Sequence, residues 1–459
     1  MRRVISLALL PALGLAWPAF AHATEGGFVL LLPTAAYIAG GVVTVVLTVL
    51  LVSALPGPAS ERLYAALPLW RSRGRRWRRG LALPGFAAFA AVLVLGLLGP
   101  HDPSRNLLPL SVWTLFWLGM PVLHALAGDL WRDLNPWAWP LRLCRRAGLT
   151  PRFRLPSALG HWLALASFLA FAAVLLAHPA PADPETLAAM AASYWAVHFA
   201  GGLLFGPRWL RRAEGFAVLF AAYARLAPLA AVRGRWRLGL PGWQIATGRA
   251  PPPGLAVFAL AMLAVGSFDG LNETFLWIAA LGLNPLEFPG RSAVVAPNLA
   301  GLLLAVPALV AAFAATVWLG FCLAGRAPGA AFAALAPAVL PIALGYHVAH
   351  YLPSSLVEGQ YLALALNDPL GRGGDLLGLW RRHVTTGFFT SLSSVRVIWL
   401  TQAGAVVLGH VLAILLGHVQ AYRLLGSQRG AAISQLPLAA FMVAYTLFGL
   451  WLLATPRGV

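Results

Sequence analysis

The chain has 459 residues, of which 60% are hydrophobic and only 10% charged, with a formal net charge of +19 and a mean hydropathy of +0.77. That balance excludes an ordinary soluble domain, because apolar runs of this length belong in lipid. The charge does not imply a nucleic-acid partner: every basic residue is arginine, lysine is absent, no nucleic-acid motif occurs, and the arginines cluster in loops as the positive-inside rule requires.

The first 21 residues read as a signal peptide. Arg2 and Arg3 form the charged region, Val4 to Trp17 the apolar core, and Ala19-Phe20-Ala21 fits small-x-small cleavage before His22. Ala21-His22-Ala23 fits equally, with cleavage before Thr24, and an uncleaved first helix is the alternative. If His22 becomes the mature N-terminus, its amine and imidazole can chelate one copper ion.

Ten apolar spans follow, at 27–54, 81–100, 107–127, 157–177, 186–206, 253–271, 293–320, 331–352, 395–416 and 433–454. Each is near the length that a hydrocarbon core of about 30 Å demands. Backbone groups cannot go unpaired in lipid, and barrel strands would be shorter and alternate, so the spans are helices. The predicted fold is an all-α polytopic transmembrane helical bundle, one domain over 22–459.

Arginine sets the predicted orientation. The loops at 55–80, 128–156, 207–252, 321–330 and 417–432 hold 24 of the 33 arginines, while ten of the 14 acids lie on the other side. The arginine-poor side is therefore expected outside, with both mature termini there, in a bacterial inner membrane. The block Arg71 to Arg79 retains its loop in the cytoplasm or binds anionic lipid headgroups. Within the basic loop 207–252, the segment 213–231 reads as a helix lying in the membrane interface; were it to cross, everything after it would invert. Cys144 and Cys322 are the only cysteines, beside predicted cytoplasmic loops, which excludes a disulfide framework.

Ionisable residues within a membrane are costly and point to function. In Gly345-Tyr346-His347-Val-Ala-His350-Tyr351, two histidines three apart share a helical face and can reach one ion; a pair of interfacial histidines bonded to neighbouring helices is the competing reading. Glu358 and Gln360 follow in the expected outer loop. In Ser267-Phe-Asp269-Gly-Leu-Asn272-Glu273-Thr274, Asp269 and Glu273 share a face if the helix continues, and two close carboxylates repel unless a cation or proton joins them. His347, His350, Asp269 and Glu273 together form a nitrogen and oxygen set suited to a divalent zinc, iron, manganese or copper ion. An acidic loop with a helix cap would also account for the carboxylates. His124, His198, His410 and His418 lie at other depths and are expected to bond between helices. Phosphate-binding glycine loops, nucleophile elbows and haem attachment motifs are absent from the sequence.

Several strings, taken together, resemble a bacterial membrane-protein family whose members carry the name fenitrothion hydrolase: Gly128 to Trp137, Ser267 to Thr274, Pro341 to Tyr351, Asn367-Asp368-Pro369-Leu370-Gly371 and Gln435 to Trp451. The resemblance covers most of the chain after the signal. It implies hydrolysis of an apolar organophosphorus ester, which would reach the outer interface from the lipid. In that reading an ion on His347, His350 and Asp269 or Glu273 ionises a bound water, and a remaining carboxylate, Glu273 or Glu358, orients it. Two other readings stay open: a permease for a metal ion or small solute, and an accessory protein for a respiratory or copper enzyme. Several polar residues at mid-membrane depth, or broken helices, would favour the permease.

Overall fold

A computed structural model describes residues 29, 31–72, 80–379 and 382–457. The expected signal peptide, His22 and most of the Arg71–Arg79 block lie outside the described residues.

The architecture is an all-α helical bundle. Its main helices are α1 Thr34–Ala54, α2 Ala82–Leu98, α3 Leu107–Ala127, α4 Trp162–Ala177, α5 Pro184–Phe205, α6 Gly215–Tyr223, α7 Pro253–Asn272, α8 Val295–Leu323, α9 Leu340–Asn367, α10 Leu392–Leu425 and α11 Gln428–Ala454. Eight helical stretches among the described residues are long and apolar enough to cross a membrane; α2 and α4 are apolar but shorter. Each of the ten expected spans falls on one of these helices, although α2 and α4 fall short of a crossing length, and the far ends shift most at two of them. The helix of the eighth span does not stop at 352 but runs through Pro353 to Asn367, and α10 runs to Leu425, where Arg423 pairs with Glu61 at 3.7 Å.

The segment expected as an interfacial helix is corrected in its packing. Gly215–Tyr223 is too short to cross, at about 1.5 Å per residue, and it does not present a polar face to the surface. Gly215, Phe216, Val218, Leu219, Phe220, Ala222 and Tyr223 are all buried among the other helices. Phe220 stacks on His124, and Phe216 meets Phe116 and Phe171 edge-on. The helix is thus a plug inside the bundle.

Two strands of a small sheet follow this helix in the chain. Strand β1 (Leu67–Arg71) from the loop after α1 pairs antiparallel with β3 (Arg235–Leu238), which pairs with β2 (Leu229–Val232). The β2–β3 turn has positive φ at both central residues, Arg233 at 51° and Gly234 at 76°, the twist that a two-residue hairpin needs. The sheet brings two arginine-rich loops to the same end of the bundle. The third, after α10, joins them: the side-chain amide of Gln428 donates to the Ala54 carbonyl. The arginine-poor loops gather at the opposite end, where His101 faces Glu185 at 3.6 Å and Arg291 donates to the His178 carbonyl at 3.2 Å.

Helices α9 and α10 pack at backbone contact. A Cβ at Gly345 would lie 2.4 Å from the Ala405 carbonyl oxygen, and one at Gly409 would lie 2.6 Å from that of Pro341. Small residues at such crossings let backbones approach where lipid supplies no hydrophobic drive between helices. This contact fixes the depth of His347 and His350 relative to α10.

Candidate metal centre

The site is built where α7 ends. Asp269 sits three residues before the end of α7 and is 5% exposed. Glu273 is the C-cap residue. Thr274 then caps the short helix Phe275–Ala280 by accepting from the Trp277 amide, which turns the chain away. From α9, the ring of His350 approaches Asp269, with Nε2 3.3 Å from Oδ2. Tyr351 donates its hydroxyl proton to the same carboxylate, and the Trp117 indole donates to that hydroxyl oxygen at 2.7 Å. Trp117 lies in a π-helical stretch of α3, Ser111–Gly119; such wide turns recur at functional sites.

A cation already faces this cluster. After α11 the chain folds back, so that Arg457 bridges Thr274 and the Phe275 amide donates to the Pro456 carbonyl at 3.1 Å. The Arg457 guanidinium stands 3.5 Å from Glu273 Oε2 and 3.4 Å from His350 Nδ1. With an N–H directed at Nδ1, the network assigns the His350 proton to Nε2, facing Asp269.

Of the four residues expected to hold an ion, the structure brings three together. Ligand atoms of Asp269, Glu273 and His350 lie within 4.8 Å of one another, near enough for one ion to touch all three after small side-chain movements. His347 does not join this set. It lines the same small cavity, of about 20 Å³, with Trp117, Asp269, His350 and Tyr351. Its ring stands edge-on to Trp117 and Tyr351, with centroids 5.2 and 5.0 Å away, and Nε2 has no hydrogen-bond partner among the described residues. Residues three apart on a helix are offset by about 60°, which sends the two rings to different neighbours.

Glu358 is also displaced from its expected place. It lies on α9 rather than in a loop, about 12 Å along the axis from His350 at 1.5 Å per residue. There it accepts a hydrogen bond from Thr114 at 2.9 Å. It is therefore outside the cluster, and the expected water-orienting role has only Glu273 within it. Gln360 bonds the Thr385 backbone through both ends of its amide.

The other histidines divide. His198 bonds between helices, to Ser167 at 3.2 Å and to the Trp209 indole at 3.1 Å. His124 accepts from the Trp131 amide at 2.9 Å. His410 bonds the Val406 carbonyl of its own helix, and the Nε2 atoms of His410 and His418 have no hydrogen-bond partner among the described residues.

Comparison of the chain with protein-family models, curated proteins and solved structures finds no match.

A second buried polar group escaped the sequence reading. Glu214, 0% exposed, caps α6 and accepts four hydrogen bonds. Oε1 takes the Phe216 amide (2.8 Å) and the Tyr194 hydroxyl (2.5 Å). Oε2 takes the Ala217 amide (2.7 Å) and the Trp131 indole (3.2 Å). This clamp holds α6, whose Leu219 and Tyr223 form one wall of the cavity beside Asp269. The signal was a lone glutamate ahead of an apolar run, which also fits a loop. Tyr351 as the partner of Asp269, and Trp117 as the partner of Tyr351, were missed because their contacts span 82 and 234 residues of sequence.

Proposed function

We propose that this chain is an integral membrane permease for a small divalent cation, with Asp269, Glu273 and His350 as its binding site. One observation carries the reading: buried Asp269 and His350 line a cavity of about 20 Å³, and partly buried Glu273 converges on them. A bare ion fits such a space, whereas pockets for drug-sized organic molecules run to about 300–1,000 Å³. Further support comes from polar groups at several other depths, namely Glu214 with Tyr194, His198 and His410, and from the π-helical interruption of α3. Buried ionisable residues inside a bundle mark ion pathways. We place the protein in a bacterial inner membrane with the Asp269 cluster toward the periplasm, on the support of the arginine distribution.

The carboxylate pair would supply charge neutralisation, and His350 would supply an imidazole ligand selecting zinc, manganese or iron over alkali and alkaline-earth ions. Tyr351, held by the Trp117 indole, would fix the orientation of Asp269 as cations enter and leave. The test is uptake of zinc or manganese into proteoliposomes containing the purified protein. Saturable uptake, abolished by Asp269→Asn, supports the permease; none above empty liposomes refutes it.

The second reading is a metal-dependent hydrolase of apolar organophosphorus esters, as the resemblance to the fenitrothion hydrolase family implies. The observation in its favour is Glu273, a partly buried carboxylate within the ligand set that could orient a metal-bound water. It requires the bundle to open beside Asp269 to admit an aryl ester. Turnover of an aryl phosphorothioate by the metal-loaded protein, lost in His350→Ala, would favour it over transport.

A further inference from the structure

The guanidinium of Arg457 occupies the position a bound cation would contest. It faces Glu273 at 3.5 Å and His350 Nδ1 at 3.4 Å, two of the three residues whose ligand atoms converge. The arginine is largely buried there, at 16% side-chain exposure, as is Glu273 at 18%. It is held by backbone rather than by its own reach: the Thr274–Arg457 bridge and the Phe275 amide bond to Pro456 tie the segment after α11 to the segment after α7. An ion in contact with Glu273 and His350 cannot share that space with a positive guanidinium, because like charges at such range repel.

We propose that Arg457 is a tethered cation that fills the Asp269–Glu273–His350 site until a divalent ion displaces it, and that this exchange makes the site favour doubly over singly charged cations. The inference rests on the cation-site reading above. The charge arithmetic gives its direction. With both carboxylates ionised and Arg457 in place, the site carries a net charge of −1. Exchanging the guanidinium for a monovalent ion leaves −1 and breaks the backbone strap, with no electrostatic return. Exchanging it for a divalent ion neutralises the site, and the gain is largest where water is excluded. Displacement also frees Nδ1 of His350, so the arginine leaves as an imidazole ligand becomes available. Arginine suits the task because it stays charged and its planar fork spans two partners.

The test uses the detergent-purified full chain and Co²⁺, whose absorption reports nitrogen and oxygen coordination. R457Q is expected to bind Co²⁺ about 10- to 100-fold tighter than the wild type, the range that one charge-assisted contact represents. Na⁺ is expected to compete with Co²⁺ in R457Q and not in the wild type. Removing any nearby positive charge raises cation affinity, so a second readout on unaltered protein is needed. Hydrogen exchange of wild-type peptides covering Thr274–Trp277 and Trp451–Arg457 is expected to accelerate when Co²⁺ binds, as the strap opens. Unchanged or slower exchange in Co²⁺-bound wild type overturns the gate while leaving the cation site standing, and so does equal affinity in R457Q. Absence of Co²⁺ binding in both proteins overturns the gate and the cation site together.

Discussion

Replacing Glu214 by glutamine tests how firmly the buried plug is clamped. The substitution keeps the shape and exchanges one carboxylate oxygen for an NH₂ group. Each oxygen now accepts from one backbone amide and one aromatic donor: Phe216 and Tyr194 on Oε1, Ala217 and Trp131 on Oε2. On the Oε2 side the new NH₂ group orphans the Ala217 amide and the Trp131 indole; on the Oε1 side it orphans the Phe216 amide, while the Tyr194 hydroxyl can turn to accept from it and donate to Ser167, 3.1 Å away. An orphaned buried donor costs about 1–3 kcal/mol, while polar contacts inside membrane proteins average only about 0.6 kcal/mol by double-mutant cycles. The glutamine takes the cheaper orientation, with one orphaned amide, so the expected loss is about 1–3 kcal/mol. Tyr194→Phe removes a single donor and leaves the carboxylate its other three, so it should cost less. Reversible unfolding of the purified protein in mixed micelles of increasing dodecyl sulfate content measures both. A change in Glu214→Gln below about 0.5 kcal/mol, or a larger loss in Tyr194→Phe than in Glu214→Gln, would refute the clamp.

Other expectations follow from the packing and the site. Gly345→Ala places a Cβ 2.4 Å from the Ala405 carbonyl oxygen, so α9 and α10 must separate, at a cost of about 1–3 kcal/mol. Gly404→Ala, with nothing within 4 Å, is the control in the same unfolding assay and should stabilise slightly, by up to about 1 kcal/mol. Asp183 caps α5 by accepting from the Thr186 amide at 2.9 Å, and Asp183→Ala should cost about 1 kcal/mol. Hydrogen bonds from Thr186 hold that carboxyl below its usual range, so its folded value is the depressed one. The stabilisation is then fully present above the ordinary aspartate value of about 3.9 and fades as pH falls through the folded value. Unfolding curves for wild type and Asp183→Ala should converge toward low pH; a gap that widens on acidification would contradict this. His347→Ala should leave the bound ion in place, whereas His350→Ala should release it, as read by metal content after desalting.

Hydropathy made the helices legible because most residues in a span face either lipid or an apolar interior. The end of the eighth span was not legible. Pro353-Ser354-Ser355 followed by Glu358 and Gln360 reads as a loop, yet the helix continues, with Thr114 satisfying Glu358 and the Thr385 backbone satisfying Gln360. That partnership depends on a π-helical stretch that the sequence of α3 does not announce. The convergence of Asp269, Glu273 and His350 was readable because ionisable groups stand out in apolar surroundings. The separation of His347 was not, since it depends on the aromatic rings of α3. Arg457 could not be assigned a role from sequence at all: its partner Glu273 is 184 residues away, and an arginine on the arginine-poor side reads as an exception to a charge rule. The arginine-rich loops were legible as a group, and the sheet joining β1 to β3 is the physical reason two of them share one end of the bundle.

Elemental analysis of purified protein loaded with zinc and then desalted, for wild type and Asp269→Asn side by side, decides whether Asp269, Glu273 and His350 jointly hold a divalent cation. One zinc per chain is expected in the wild type and none in Asp269→Asn, with both proteins equally folded by circular dichroism. Zinc retained by Asp269→Asn, or a wild type that emerges free of metal, would contradict joint binding by the three residues.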